Sequence, residues 1–249
     1  MPTLFIADLH LDPERPEITR LFGDFLQDEA RGADALYILG DLFESWVGDD
    51  DPSEAGAFVA ARLFALHQAG VPVFFMHGNR DFMLGRDYAA RAGMRILPDP
   101  AVIELYGRPV LLMHGDLLCT GDVEYQKVRA EVRSPAWRGN MLARPLEARL
   151  AFARQARAAS QARQGAMNDA GTMESITDAS PDAVGQTLRR YGIDTLIHGH
   201  THRPAIHHLE IGGRPHRRIV LGDWYEQGSV LRANPDGSFD LATLPRPSL

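Results

Sequence analysis

The sequence predicts an α/β fold built on a mixed sheet. Three observations support this prediction: apolar strand segments alternate with helical segments near the amino terminus, the strands end in polar residues, and a two-residue turn signal indicates an antiparallel hairpin. The chain has 249 residues, of which 45% are hydrophobic and 24% are charged. This composition is typical of a globular domain and excludes a disordered or fibrous protein.

The amino-terminal third of the chain predicts a βαβαβ unit. Continuous apolar segments indicate strands at residues 4–7, 35–39 and 73–76. Apolar residues that recur every three or four positions from Ile18 predict an amphipathic helix ending near Gly32, and a second helix is expected from about Glu54 to Ala69. Such alternation with continuous apolar strands indicates a parallel sheet that is covered on its faces.

The rest of the chain predicts additional strands, which make the sheet mixed. Two apolar segments flank Gly107-Arg108, a signal for a two-residue hairpin. A helix is expected to begin at Ser180 and to end at Gly192. The strand segments predicted here are residues 102–106, 109–113, 195–197 and 218–221, with a final hairpin around residues 234–237.

The segment from about residue 120 to residue 180 lacks strand signals and is rich in alanine and arginine at helical spacing. We therefore predict a helical lid inserted into a single domain that spans residues 1–249. Nine basic and two acidic residues lie between Lys127 and Arg163, although the whole chain has a formal charge of −7. A solvated surface helix is the alternative to a lid.

The chain is predicted to be cytoplasmic. Its single cysteine, Cys119, can form no intramolecular disulfide, which fits a reducing compartment. Asp8 interrupts the first apolar segment before it reaches the length of a signal-peptide core. Because no apolar stretch approaches the roughly 20 residues of a membrane span, any membrane contact is expected at the protein surface.

Polar side chains that can bind metal ions follow five of the apolar strands. They are Asp8, His10, Asp41, Asn79, His114, His200 and His202. The carboxyl ends of strands form the ligand crevice of an open α/β sheet, so these side chains should converge on one site. Histidines and carboxylates without thiolates suit Mn²⁺, Fe²⁺, Co²⁺ or Zn²⁺.

Seven ligands are too many for one ion. We therefore predict two ions about 3.5 to 4 Å apart, the geometry used for in-line phosphoryl displacement, with Asp41 as the shared carboxylate. Arg80, which follows Asn79, is expected to clamp a phosphate group with two hydrogen bonds. Taken singly, each pattern also fits a helix cap, a turn, or a surface ion pair between Arg80 and Asp81.

In their order along the chain, these patterns resemble the calcineurin-like metallophosphoesterases. The matching segments are Asp8-Leu9-His10, Gly40-Asp41, Gly78-Asn79-Arg80-Asp81, His114-Gly115-Asp116 and Gly199-His200-Thr201-His202. The resemblance implies a four-layer α/β/β/α sandwich of mixed sheets with a helical lid insertion. It also implies that His77 and His198 are not metal ligands.

The resemblance further implies a distribution of the ligands between two Mn²⁺ ions per chain. One ion would be bound by Asp8, His10 and His202. The other would be bound by Asn79, His114 and His200, and Asp41 would bind both.

Flanking residues are similar to one branch of this family, whose members hydrolyse the pyrophosphate of UDP-2,3-diacylglucosamine in lipid A biosynthesis. They include residues 5–11, 36–44, 113–116 and 198–204. This similarity implies cleavage at the α-phosphorus to UMP and 2,3-diacylglucosamine 1-phosphate. It implies catalytic roles for Asp41, Arg80 and His114. It implies substrate contacts by Asn79, Arg80, Asp122, Tyr125, Ser160 and His200.

The amphipathic, basic character of the lid also suggests a function. Its apolar residues would hold acyl chains, while its arginines would face phosphates or an anionic membrane. These apolar residues are Val128, Val132, Trp137, Met141, Leu142, Leu146, Leu150 and Phe152. Where the family usually has an asparagine and then a lysine, this chain has Gln164 and Met167, and Arg157 or Arg163 is the candidate replacement for the lysine.

The expected partners are therefore a nucleotide-activated acylated sugar and the cytoplasmic face of the inner membrane, with no obligate protein partner. Two other functions remain open. A general phosphodiesterase or nuclease could use the basic segment to follow a nucleic-acid backbone, although the acidic net charge and the few aromatic residues of that segment argue against nucleic acid. A non-catalytic membrane-binding module is the other alternative, and the intact ligand set argues against it.

Overall fold

The computed structural model describes residues 1–169 and 176–246, and for Gln164 and Met167 it describes the backbone alone. Residues 170–175 of the predicted lid, and the side chains of Gln164 and Met167, thus lie outside the described part of the chain.

The strands form a six-stranded and a five-stranded sheet in the described residues. The strands are β1 (Thr3–Ile6), β2 (Ala35–Ile38), β3 (Val73–Met76), β4 (Met94–Leu97), β5 (Ala101–Leu105), β6 (Arg108–Met113), β7 (Thr195–His198), β8 (Ala205–Ile211), β9 (Arg214–Val220), β10 (Gly228–Ala233) and β11 (Phe239–Leu244). The first sheet has the order β11-β10-β1-β2-β3-β4, and the second has the order β5-β6-β7-β9-β8. Strands β1 to β4 are parallel, as are β6, β7 and β9. Strand β10 is antiparallel to both β1 and β11, and the pairs β5–β6 and β8–β9 are also antiparallel.

Helices cover the outer faces of both sheets. The helices are α1 (Pro16–Asp28), α2 (Glu54–Gln68), α3 (Arg86–Arg91), α4 (Val123–Val132), α5 (Pro135–Leu142), α6 (Leu146–Asp169) and α7 (Pro181–Tyr191). Helices α1 to α3 pack on the first sheet through a core that includes Phe22 and Leu63, and α7 packs on the second through Leu188. A third core, which includes Phe5 and Ile197, lies between the sheets. The predicted four-layer α/β/β/α fold is confirmed.

Helices α4 to α6 form the lid in the described part of the predicted insertion. Met141 of α5 is 3% exposed and packs with Val47 and Met83 of the core domain. Arg149 of α6 is equally buried, and its Nη1 donates to Val47 O at 2.7 Å. The lid is therefore packed against the core domain rather than standing free in solvent.

The structure corrects one turn and adds three elements. The turn between β5 and β6 is Tyr106-Gly107, not Gly107-Arg108, because Arg108 already pairs with Leu105. Tyr106 and Gly107 have φ angles of 50° and 80°, as the two-residue turns of tight hairpins require. The elements absent from the sequence prediction are α3, β4 and β8. Each is short or half-exposed, so none has a clear apolar pattern.

None of the described helices has both the length and the apolar character that crossing a membrane requires.

Candidate functional site

The seven predicted ligands lie together at the carboxyl ends of β1, β2, β3, β6 and β7. The first sheet contributes Asp8 and His10 after β1, Asp41 after β2 and Asn79 after β3. The second sheet contributes His114 after β6 and His200 with His202 after β7. These strands are not consecutive, since β4 and β5 lie between them in the chain. The crevice is therefore formed by both sheets together.

The backbone of this crevice is unusual. In the described part of the chain, six residues other than glycine have positive φ angles, and five of them are predicted ligands. These are Asp8 at 55°, His10 at 49°, Asp41 at 53°, His200 at 69° and His202 at 54°. The left-handed region is uncommon for residues with a side chain, and such conformations cluster at functional sites.

Two glycines allow the ligands to approach one another. A Cβ on Gly40, whose φ is +94°, would lie 2.5 Å from His114 Nδ1. A Cβ on Gly78 would overlap the Asp41 carboxylate. Larger residues at either position would therefore displace a predicted ligand.

Asp8, His10 and His202 form one group of donor atoms. The Nε2 atoms of the two histidines lie 3.3 Å apart, and Asp8 Oδ1 lies 3.4 Å from His202 Nε2. Asp8 Oδ1 is buried and has no hydrogen-bond partner among the described residues. A buried carboxylate oxygen facing two imidazole nitrogens is a suitable environment for a cation.

Asn79, His114 and His200 form a second group. Asn79 Oδ1 lies 2.9 Å from both His114 Nε2 and His200 Nδ1. His114 Nδ1 lies 2.9 Å from the carbonyl oxygen of Leu39. Because a carbonyl only accepts, His114 Nδ1 carries a proton, and Nε2 is the nitrogen that faces the site.

Asp41 lies between the two groups. Its Oδ2 is 3.8 Å from His10 Nε2 and 3.9 Å from His114 Nε2. Its Oδ1 accepts a hydrogen bond from Arg80 N at 2.8 Å, which fixes the carboxylate. Two sets of three donors can each hold a metal ion: Asp8 with His10 and His202, and Asp8 with Asp41 and His114.

The electrostatics of the crevice favour positive charge. Burial alone would raise the pKa of Asp8, but His202, His114 and His10 hold it well below its usual range. Burial alone would lower the pKa of His114, but Asp41, Asp116 and Asp8 raise it to about 9. His200 differs, since burial and the neighbouring His114 lower its pKa to about 4.

Two carboxylates behind the histidines are not among the residues predicted from the sequence to form the site. Glu44 Oε2 lies 3.2 Å from His10 Nδ1, and Asp223 Oδ2 lies 3.6 Å from His202 Nδ1. Such partners orient histidine ligands of metal ions. Glu44 lies shortly after β2, in a segment that resembles the family, and this resemblance could have identified it as a site residue. No local pattern marks Asp223.

Arg80 does not form the surface ion pair with Asp81 that was the alternative to a phosphate clamp. Asp81 is fully buried and accepts hydrogen bonds from Leu42 N at 2.7 Å and Gly78 N at 2.8 Å. Burial and the nearby Asp41 raise the pKa of Asp81 to about 7. Arg80 instead lies 3.9 Å from Glu44, and its buried Nε has no hydrogen-bond partner among the described residues.

The six predicted substrate-contacting residues all line one cavity of about 510 Å³. They are Asn79, Arg80, Asp122, Tyr125, Ser160 and His200. An adjoining cavity of about 230 Å³ has a largely apolar wall formed by Trp46, Phe82, Val128, Val132, Trp137 and Phe152. The two cavities share Asn79, Arg80, Tyr125, Val128, Ala156 and Ser160. A cavity lined mainly by polar residues and a cavity with large apolar side chains in its wall therefore meet beside the candidate ligands.

Five of the nine basic residues of the lid lie close to carboxylates, but four of them, Arg129, Arg133, Arg157 and Arg163, also line the two cavities, so their contact with phosphates stays a prediction. Guanidinium groups covered by the fold need carboxylate partners, and these five have them. The pairs are Arg129 and Arg133 with Asp116, Arg149 with Asp50, Arg157 with Glu44, and Arg163 with Asp122. The two candidate replacements for the family lysine, Arg157 and Arg163, are thus both held by carboxylates.

The two histidines expected not to bind metal have other partners. His198 is fully buried, and its Nε2 accepts from Arg218 Nε at 2.9 Å. Burial and Arg218 lower the pKa of His198 to about 3. His77 Nε2 lies 2.7 Å from Leu84 O.

Comparison with known proteins identifies related chains. The calcineurin-like phosphoesterase family matches residues 1–204. A UDP-2,3-diacylglucosamine hydrolase of Stenotrophomonas maltophilia is 63% identical over 99% of this chain and 100% of its own. Proteins of the same name from Xanthomonas oryzae and Xanthomonas campestris are 64% and 62% identical, each over 95% of this chain and 97% of its own.

Proposed function

Because the chain belongs to the calcineurin-like phosphoesterase family and is 62 to 64% identical to full-length UDP-2,3-diacylglucosamine hydrolases, we propose that it hydrolyses UDP-2,3-diacylglucosamine. It is a metal-dependent hydrolase. The reaction splits the pyrophosphate at the α-phosphorus and gives UMP and 2,3-diacylglucosamine 1-phosphate, a step of lipid A biosynthesis.

The observation that best supports this substrate is the junction of the two cavities at Arg80. UDP-2,3-diacylglucosamine has a charged nucleotide end and two acyl chains, and the pyrophosphate lies between the nucleotide and the acylated sugar. A polar cavity of about 510 Å³ that meets an apolar cavity of about 230 Å³ fits this division. A nuclease or a non-catalytic module has no need of the apolar cavity, so neither alternative is favoured.

The residues of the crevice fit a divalent metal cofactor, and we assign two Mn²⁺ ions to them. Asp8, His10 and His202 would hold one ion, and Asn79, His114 and His200 would hold the other. Asp41 would contact both, which its position between His10 and His114 supports. When bound, the ions supply Lewis acidity and a nucleophilic water.

The other side chains act on the substrate. Arg80, whose Nε lacks a partner in the described part of the chain, can neutralise charge on a phosphate oxygen at the cavity junction. Tyr125 OH donates to Asp116 Oδ2 at 2.7 Å, and the tyrosine ring stacks on His200. Asp122 caps α4 by accepting from Tyr125 N at 3.0 Å. Tyr125 and Asp122 therefore fix the wall against which the substrate lies.

Measuring UMP release from UDP-2,3-diacylglucosamine by the purified chain with Mn²⁺ tests this function. We expect UMP to form with Mn²⁺ and not after chelation of the metal. Asp41→Ala and His114→Ala should lower turnover by about a thousandfold or more, because each removes a ligand. His207→Ala on β8, an exposed histidine outside the crevice, is the matched control and should keep wild-type activity.

Two results would contradict the proposal. Failure to release UMP, together with turnover of another nucleotide, would exclude the substrate. Near-normal activity of folded Asp41→Ala or His114→Ala would exclude the metal assignment. Circular dichroism of each variant establishes that it has folded.

A further inference from the structure

A separate cavity of about 470 Å³ lies between α3, β4 and the lid helix α5. Side chains that line it include Arg86 and Ala89 of α3, Met94 and Ile96 of β4, and Arg138 of α5. It shares no lining residue with the polar and apolar cavities of the proposed site. It therefore belongs to a different place on the molecule.

Arg138 enters this cavity without a partner. Its Nε is buried and makes no hydrogen bond, and the guanidinium forms no ion pair among the described residues. Asp49, the acidic residue that acts on it, is already engaged, since its two oxygens accept from Trp46 Nε1, Gly85 N and Tyr88 N. Burial and the neighbouring Arg133 lower the pKa of Arg138.

Arg138 is an exception among the half-buried arginines of the lid. Arg129, Arg133 and Arg163 are likewise half-buried, and each lies within ion-pairing distance of a carboxylate. Arg138 is half-buried and Arg86 is exposed at the rim of the same cavity, and neither forms an ion pair in the described residues. Two guanidinium groups without ion pairs at one cavity favour an anionic ligand, because the buried part of Arg138 lacks a hydrogen-bond partner.

The remainder of the cavity wall is largely apolar. Leu84, Met94 and Ile96 contribute hydrocarbon surface, and Ala89 keeps the space open. His77 also lines the cavity, but its Nε2 faces Leu84 O at 2.7 Å and must donate to that carbonyl. A small inorganic anion would leave this apolar surface in contact with water, whereas an anion with a hydrocarbon chain would cover it.

We propose that this cavity is a second binding site, which takes an alkyl carboxylate or an alkyl phosphate. The anionic group pairs with Arg138 and Arg86, and the alkyl chain lies against Met94 and Ile96. Arg138 belongs to the lid, and the other lining residues belong to the core domain. A ligand bound in this cavity therefore contacts both the lid and the core domain. The inference does not depend on the substrate proposed above.

Isothermal titration of the full chain with octanoate and octyl phosphate tests the site. We expect at least one of these to bind, and the tighter ligand identifies the anionic group. Octanol tests the need for charge, and acetate and inorganic phosphate test the need for the alkyl chain. Arg138→Gln should weaken binding about tenfold or more, as expected for loss of a charge-assisted hydrogen bond, whereas Arg144→Gln on the exposed lid surface should not.

Arg86→Gln gives an independent measurement, since Arg86 is exposed and its substitution leaves the packing intact. It should also weaken binding. Octanol binding as tightly as octanoate, or inorganic phosphate binding as tightly as octyl phosphate, would overturn the proposal. So would octanoate binding that survives Arg138→Gln but is lost in Ala156→Leu, because Ala156 lines the substrate cavities.

Discussion

Glu44 connects the candidate metal centre to the lid. Its Oε2 lies 3.2 Å from His10 Nδ1, and its Oε1 lies 2.9 Å from Arg157 Nη1 of α6. Burial alone would raise the pKa of Glu44, but His10, Arg80 and Arg157 keep it below its usual range. The carboxylate is therefore charged at neutral pH and is placed to orient the His10 ring.

We expect Glu44→Gln to weaken Mn²⁺ binding about 10- to 100-fold, the usual effect of removing a carboxylate behind a histidine ligand. The measurement is the Mn²⁺ concentration that gives half-maximal UMP release, with metal binding followed by calorimetry. Turnover at saturating Mn²⁺ should fall less than metal affinity. Glu54→Gln, an exposed carboxylate at the start of α2, is the control. An unchanged metal requirement in Glu44→Gln would show that Glu44 does not position His10.

Helix α4 is attached to the core domain through the fully buried carboxylate of Asp116, together with contacts of Arg129 with Asp99 and of Arg133 with the carbonyl oxygen of Gly78. Asp116 Oδ2 lies 2.7 Å from Arg129 Nε, 3.2 Å from Arg133 Nη2 and 2.7 Å from Tyr125 OH. Burial alone would raise the pKa of Asp116, but His114, Arg133 and Arg129 hold it well below its usual range. One side chain of the core domain thus fixes three side chains of the lid.

Asp116→Asn should destabilise the chain by roughly 2 to 4 kcal/mol at pH 7, because it leaves Arg133 without a counter-charge and leaves Arg129 with Asp99 alone. Urea unfolding followed by circular dichroism measures this loss. Glu124→Gln breaks only the exposed pair with Lys127 on the same helix and should have almost no effect. Equal stability of Asp116→Asn and the wild type would show that α4 does not depend on this carboxylate.

The difference in stability between the wild type and Asp116→Asn depends on pH in a defined direction. The folded pKa of Asp116 is below its unfolded value of about 3.8, so the unfolded chain binds the proton first as the pH falls. The stabilisation is therefore complete above about pH 5 and is lost at lower pH. The stability difference between the wild type and Asp116→Asn should narrow below pH 4.

The elements differ in how well the sequence predicts them. Buried strands such as β1 and β3 were predicted within one residue, because both faces of each strand are covered and every residue except Thr3 is apolar. Edge strand β8 was not predicted, because all of its residues are at least partly exposed and they show no clear apolar pattern. The hairpin turn was displaced by one residue, since local sequence does not show which neighbour of Gly107 adopts a positive φ.

The residues of the candidate site also differ in how well the sequence predicts them. Each predicted ligand follows a strand directly, so local sequence and the geometry of an α/β sheet are enough to bring the ligands together. The roles of Glu44 and Asp116 depend on arginines of the lid, far along the chain. No local pattern predicts such pairs, because only the packing of the lid against the core domain creates them.

Most of the positive charge of the lid is paired with carboxylates in the structure. The sequence concentrates nine basic residues between Lys127 and Arg163 in a chain of charge −7. Five of them pair with carboxylates, and Lys127 pairs with Glu124. Little of this charge remains for an anionic membrane. Exposed apolar side chains remain on the lid, and Val123 is 56% and Leu142 41% exposed.

We therefore expect membrane binding of the chain, proposed here as peripheral on the cytoplasmic face, to depend more on apolar contact than on charge. Flotation with vesicles that contain anionic lipid should show binding that changes little between low and high salt, because screening weakens only the charge contribution. Leu142→Gln should lower the bound fraction roughly 3- to 10-fold, as loss of one buried leucine side chain predicts. Phe64→Gln on α2, a residue of similar exposure outside the lid, is the matched control and should bind as the wild type does. Binding that disappears at high salt and is unaffected by Leu142→Gln would instead assign attachment to the three lid arginines without ion pairs in the described residues, Arg138, Arg144 and Arg154.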